Sequence, residues 1–130
     1  MGRWGTYYSG KYKEFMDDSE KVMADLLSGH APFDTALEVW TTIHIPQAKS
    51  NTDKYPTNQR SGDIDNHLKS IFDAFNPDTG AKAKRKAGRG MELSTGLWTD
   101  DALIQTIHAS KVWASPDSEG WIEIAVKEKS

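Results

Sequence analysis

Apolar residues recur along this chain with two different periods, and each change of period marks an element. Between residues 10 and 28, Tyr12, Phe15, Val22 and Leu26 fall near one helical face, and Met16, Met23 and Leu27 widen it. That spacing predicts an amphipathic helix. Gly29 stops it, and Pro32 follows. The period then drops to two. In residues 36–45, Val39, Thr41, Ile43 and Ile45 share one side of a strand that Pro46 ends. A second helical stripe runs over residues 63–75 through Ile64, Leu68, Ile71, Phe72 and Phe75, and Asn76-Pro77-Asp78-Thr79-Gly80 terminates it. Alternation returns over residues 102–114, with Leu103, Gln105, Ile107, Ala109, Lys111 and Trp113 on one side. It returns again over residues 121–127. The turn-forming run Pro116–Gly120 between them predicts a hairpin. Residues 1–9 show neither period. Residues 47–62 hold almost no large aliphatic side chain and read as a loop. Residues 77–96 form a long Gly- and Lys-rich connection, of a length that in compact domains is usually functional or disordered.

These elements predict an α+β fold. A small mixed sheet from about residues 37–45, 102–114 and 120–127 is packed by two helices, 10–28 and 63–75. A chain of 130 residues predicts one domain, 1–130. The chain has no cysteine, so thiolate metal sites and cysteine nucleophiles are excluded, and a cytoplasmic setting is expected. No apolar run approaches the roughly 20 residues that span a bilayer, and no membrane partner is expected. There is neither a Gly-rich phosphate cradle nor a Ser-His-Asp constellation, so P-loop nucleotide hydrolysis and acyl transfer find no support, and no small-molecule cofactor is expected. His30, His44, His67 and His108 lack zinc spacing. His44 and His108 fall in strands, where a half-buried or cross-strand role suits them.

Charge changes the picture through its distribution. The formal net charge of −3 argues mildly against a nucleic-acid partner. Lys82, Lys84, Arg85, Lys86 and Arg89, however, place five cations in eight residues with no acid among them. The carboxylates also cluster. Asp63-Ile64-Asp65-Asn66-His67-Leu68-Lys69 is answered about thirty residues later by Trp98-Thr99-Asp100-Asp101. Crowded acids repel and raise one another's pKa. A divalent cation removes that cost, since Mg²⁺ is usually held by one or two carboxylates plus substrate phosphate oxygens. At 100° per residue, Asp65, Lys69 and Asp73 share a polar stripe opposite the apolar one. Asp63 stands where the helix N-terminus is electropositive. A plainer reading stands beside this one. Asp63 would be an N-cap, Asp65 and Lys69 an i,i+4 pair worth ~0.3–0.5 kcal/mol, and Asp100-Asp101 a solvated turn. Asp73, two turns from the cap, reads as structural. Trp98 is expected to pack beneath Asp100-Asp101 and fix them.

The run Asp-x-Asp-Asn-x-x-Lys-x-x-x-Asp-Ala from Asp63 to Ala74, then Trp98-x-Asp-Asp101 and a closing Trp121-Ile-Glu-Ile, resembles the RusA family of Holliday-junction resolvases. Thr6-Tyr7-Tyr8 also resembles the segment leading into that family's first helix. The resemblance implies a homodimer that nicks four-way junctions symmetrically with Mg²⁺ or Mn²⁺. It also implies a role in recombination, repair or phage DNA processing. It implies Asp63, Asp65, Asp101 and Lys69 as the catalytic set, with Asp100 assisting at the metal. Lys82, Lys84, Arg85, Lys86 and Arg89 are then expected to contact DNA, with Lys54 and Arg60 helping. The chain departs from the family in three ways. Only Gly2-Arg3-Trp4 remains of an N-terminal strand, which puts edge pairing in question. Ser61-Gly62 stands where proline is common before the first aspartate. The connection from Ala74 to Trp98 is longer than usual. Two alternatives differ in kind: a non-catalytic binder of DNA structure on the same fold, and a nuclease for flaps or forks.

Overall fold

The computed structural model describes residues 6–115 and 118–129. Expectations for Gly2-Arg3-Trp4, and for Pro116 and Asp117 of the last turn, lie outside these residues. The strands are β1 (Thr6–Lys11), β2 (Leu37–Ile45), β3 (Ile104–Trp113) and β4 (Trp121–Glu128). They form one mixed sheet in the order β1-β4-β2-β3. β4 runs antiparallel to both its neighbours, and β2 and β3 are parallel.

The expected hairpin between the last two strands is therefore wrong. β2 lies between them, with Thr41 opposite Ala109 on one side and Ile124 on the other. The physical reason is burial. Ile122, Ile124 and Val126 are fully buried, so β4 needs a neighbour on each edge. β1 supplies one of them, pairing Thr6 with Val126 and Lys11 with Trp121. The edge pairing that the short N-terminus put in question is thus present. β3 is also shorter than the alternation indicated. A 3₁₀ turn at Asp101–Leu103 precedes it, and a register shift against Leu37/Glu38 inserts Gln105 as an extra residue. Ile104 rather than Leu103 or Gln105 therefore matches Leu37, and the regular alternation resumes from Thr106.

The helix expected over residues 10–28 is divided. Lys11 ends β1, and α1 (Tyr12–Asp17) and α2 (Ser19–Leu27) meet at Asp18, whose φ of −132° is not helical. Phe15, Val22, Met23 and Leu26 are buried as the stripe requires. Phe15 and Val22 lie two helical turns apart, so the period survives the break and cannot reveal it. α3 (Ile64–Phe75) matches its expectation and buries Ile71 and Phe75 completely. As a crossover between parallel strands, it runs antiparallel to β2 and β3. At its C-terminal end Gly96 is held at φ +82°, where a Cβ would sit 2.6 Å from Pro77 N and 2.8 Å from Phe75 O. Only glycine allows that approach. The segment it admits carries the fully buried Trp98 edge-on against Phe72 and Phe75.

The stretch 77–96 is not all loop, and the expected pair of helices is exceeded. Gly80–Gly88 forms a further helix, α4, with no buried residue and hence no apolar stripe for a period to reveal. Charge pairing holds it. The Asp78 side chain is fully buried and accepts from Ser94 N at 2.7 Å and from Lys86 Nζ at 2.6 Å. Lys82 Nζ lies 3.1 Å from Asp78 Oδ1 as an ion pair without a directed hydrogen bond. It donates instead to Asp73 O at 2.6 Å. Burial pushes the Asp78 carboxyl up, but the Lys86 and Ser94 hydrogen bonds and the Lys82 charge together hold it below its usual 3.8.

Asp78→Ala is expected to lower unfolding free energy at neutral pH by about 1–3 kcal/mol, since the lysines it pairs with stay partly solvated. A group with a depressed folded pKa contributes its stability above the unfolded value and loses it as pH falls through the folded one. The gap between wild type and variant should therefore close below about pH 4. Thermal unfolding against pH checks this, and equal melting temperatures at pH 7 would contradict it.

Candidate active site

Asp63 owes its position to the two residues before it. Asn58 Oδ1 accepts from Ser61 N at 2.9 Å, and the buried Ser61 hydroxyl donates to Pro56 O at 2.9 Å. From the sheet, Lys111 Nζ donates to Ser61 Oγ at 3.0 Å and to Gly62 O at 2.6 Å. From α3 itself, His67 Nε2–H donates to Ser61 O at 2.8 Å. The Tyr12 hydroxyl, whose pKa burial raises, donates to His67 Nδ1 at 3.4 Å. Gly62 adopts φ +74°, and a Cβ there would meet His67 Nε2 at 2.8 Å. The residue that stands where proline is common is thus a glycine for steric reasons.

So fixed, Asp63 takes the N-cap position with φ −83° and ψ 142°, but its carboxylate accepts no helix N–H. It is not an ordinary cap. Asp63 and Asp65 instead line an open groove of about 580 Å³ together with Tyr55, Thr57, Ser110 and Lys111. Lys69 is exposed one turn beyond Asp65. Among the described residues no cation forms an ion pair with Asp63 or Asp65, and Asp65 and Lys69 form none together. The plain i,i+4 pair is absent. The helix N-terminus favours both charges.

Asp100 and Asp101 lie elsewhere. Asp100 Oδ1 accepts from Ala102 N at 2.8 Å and caps the 3₁₀ turn before β3. Asp101 Oδ2 accepts from Asn76 Nδ2 at 3.1 Å, and Asn76 Oδ1 accepts from Trp98 Nε1 at 2.6 Å. Trp98 thus packs beneath this pair and fixes Asp101 through Asn76. Asn76 is the C-cap of α3. At 1.5 Å per residue, it stands roughly 17 Å from Asp65. One chain therefore brings Asp63 and Asp65 together in the groove, with Lys69 one turn further along the same helix, and leaves Asp100 and Asp101 at the opposite end of α3. Among the described residues, no three acidic or histidine side chains converge as a metal site would require. Two converging carboxylates, exposed and unpaired, still match the number that Mg²⁺ ordinarily takes from protein.

The basic segment divides in two. Lys82 and Lys86 turn toward Asp78, and Lys86 also reaches Glu20 at 3.2 Å. Lys84, Arg85 and Arg89 are exposed on and just after α4. Lys54 sits 5.4 Å over the Tyr55 ring at the groove, and Arg60 is exposed in the 3₁₀ turn Gln59–Ser61. His44 and His108 are cross-strand residues, bonded to Glu123 at 2.8 Å and Glu38 at 2.7 Å. Lys111 and Tyr55 were not singled out from the sequence as site residues. Lys111 had one legible signal: an isolated charge on the core-facing side of a strand needs a polar destination.

A family model described as endodeoxyribonuclease RusA matches residues 1–82, which include Asp63, Asp65 and Lys69 and end before Asp100 and Asp101. No match is found among curated proteins.

Lys111→Met is expected to release the Ser61-Gly62 segment, costing about 1–3 kcal/mol for the two charge-assisted hydrogen bonds. Hydrogen exchange should speed up over residues 58–64 and stay unchanged in α2. Unaltered protection there would show that the clamp does not hold Asp63.

Proposed function

The chain belongs to the RusA family of endodeoxyribonucleases, whose action is on Holliday junctions; from that premise we propose that it is a Mg²⁺-dependent homodimer that nicks four-way DNA junctions symmetrically. Mn²⁺ should substitute. The observation that carries this reading is the uncapped Asp63 carboxylate beside Asp65 in a groove at a helix N-terminus, with no cation of the chain paired to either. The helix N-terminus favours acids at this end, but it does not require a carboxylate left uncapped in a groove with no cation paired to it.

Asp63 and Asp65 would hold the ion, which when bound supplies a low-pKa water and neutralises phosphate charge. Asp101 and Asp100 enter the proposed acidic set through the family resemblance alone, since within one chain they stand at the other end of α3. Lys69 projects from the same helix one turn on and stabilises charge developing on the phosphate or the departing oxygen. Lys111 fixes the backbone that carries Asp63 and acts as a positioning residue. Lys84, Arg85 and Arg89 have no acid to satisfy within the described chain and are suited to phosphates flanking the cut, with Lys54 and Arg60 on the groove side. Lys82 and Lys86 take part only if DNA draws them from Asp78. A two-fold dimer presents two equivalent sites to the two equivalent strands of a junction. A non-catalytic binder on the same fold has one observation in its favour, the separation of Asp101 from Asp63 within a chain.

Asp65→Asn separates the two. It should reduce junction cleavage by about 100-fold or more, the scale on which loss of one charge-stabilising group acts. It should keep or tighten junction binding, because a negative charge leaves a phosphate site. Loss of binding together with cleavage would contradict the role given to Asp65. Alanine at Lys84, Arg85 and Arg89 together should weaken binding to any DNA sequence alike. It should also flatten the slope of log K against log salt by about 5 for the dimer, as three lost phosphate contacts in each protomer require. An unchanged slope would remove them from the interface.

A further inference from the structure

We propose that Tyr55 is a base-stacking residue of the candidate site: its ring packs on a base whose stack the branch point interrupts, beside the cut phosphate, and so distinguishes branched from linear DNA. This rests on the nuclease reading and deepens it, by naming what the groove reads besides phosphate.

The first argument is the make-up of the groove. Its lining is of two kinds: the carboxylates of Asp63 and Asp65, and the apolar surface of Tyr55, Pro56, Ile64 and Ala109. A site for metal and phosphate alone uses oxygen ligands and gains nothing from apolar lining. A nucleotide presents both a charged phosphate and a flat, apolar base face. The groove holds about 580 Å³, within the roughly 300–1,000 Å³ of sites that enclose a small ligand. It has room for a base as well as a phosphate.

The second argument is how Tyr55 is presented. It is 60% exposed, and a single exposed aromatic is ordinary by itself. The segment that carries it, however, is tethered on both sides. Before it, Asp53 O accepts from Trp113 Nε1 at 2.8 Å and from Gln47 Nε2 at 3.1 Å, and Asn51 Oδ1 accepts from Asp53 N at 2.8 Å. After it, Thr57 N donates to Tyr55 O at 2.9 Å, and the carbonyl of buried Pro56 accepts from the Ser61 hydroxyl at 2.9 Å. That hydroxyl belongs to the clamp that places Asp63, so ring and carboxylate share one anchor. A ring on a loop already ordered spares the cost of ordering it on binding. Lys54 Nζ stands over the ring, 5.4 Å from its centroid. It occupies one face and leaves the other to a base.

The third argument is what linear DNA lacks. Phosphate contacts position a protein and carry no further information, and the arms of a junction offer the same phosphates as a duplex. Inside a duplex both faces of each base are covered by its neighbours. At a branch point the stack is interrupted, and an aromatic ring finds a free face. Base–aromatic stacking accepts any base, so Tyr55 reads the shape of the substrate and not its sequence.

The test uses the full chain in EDTA and so needs no cleavage. Iodouracil is placed at the branch point of a four-way junction, in the middle of an arm, or in a linear duplex of the same sequence. Each is irradiated with bound protein, and the cross-linked residue is identified by mass spectrometry. Cross-links to Tyr55 should form from the branch-point base alone. Affinities for junction and duplex are measured alongside for wild type, Tyr55→Leu and Tyr55→Phe. Leucine should weaken junction binding by about tenfold or more, the scale of one lost base–aromatic stack, and leave duplex binding unchanged. Phenylalanine should hold the wild-type values. Branch-point cross-links that avoid Tyr55, an equal loss on junction and duplex, or no loss with leucine overturns the proposal. Wild type that cross-links through Tyr55 but cuts nothing in Mg²⁺ or Mn²⁺ would sink the nuclease reading and leave the stacking role standing.

Discussion

Two parallel strands cannot be joined by a tight turn, and that constraint organises this molecule. β2 and β3 need a crossover, α3 is that crossover, and it must run back along the sheet. Its N-terminus therefore falls at the far ends of the strands and its C-terminus at the start of β3. Asp63 and Asp65 are set at one pole, and Asn76, Trp98 and Asp101 at the other. Each pole is then fixed by its own clamp. At the first, Lys111 and His67 hold Ser61-Gly62. At the second, the close approach of Gly96 to Phe75 and Pro77 admits buried Trp98, which orients Asn76.

Asp78 and the pair Asp63 and Asp65 are treated differently, and the contrast is chemical. Asp78 is buried and answered by Lys86, Lys82 and a backbone N–H, so its charge is spent on holding α4. Asp63 and Asp65 are exposed and answered by nothing in the described chain except the helix N-terminus. The first arrangement is what stability demands of a carboxylate. The second leaves charge available to a ligand, which is where the nuclease assignment gains its physical footing.

Elements with an apolar stripe were legible in the sequence. β2, α3 and β4 follow from Val39, Ile43, Ile71, Phe75, Ile122 and Ile124, because burial writes their period into the chain. α4 was not, since Ala81, Ala83, Lys84 and Arg85 carry no such stripe and its anchors are ion pairs to a residue outside it. The break at Asp18 was hidden because the stripe continues across it. The pairing of β4 with β1 and β2 depends on residues more than 75 positions apart in sequence, such as Trp40 and Ala125, and a local turn signal pointed to the nearer partner instead. At the site, the acids were legible as residue types at a spacing. Their separation was not, because it follows from the direction of α3 and not from its composition.

The central claim is that Asp63 and Asp65 serve a metal-dependent cut of branched DNA. A labelled synthetic four-way junction and a linear duplex of the same sequence, each incubated with Mg²⁺ and with EDTA, test it most directly. The account predicts paired, symmetric nicks in the junction alone, and only with Mg²⁺. Junction binding without cleavage in either Mg²⁺ or Mn²⁺, or cutting that persists in EDTA, would contradict it.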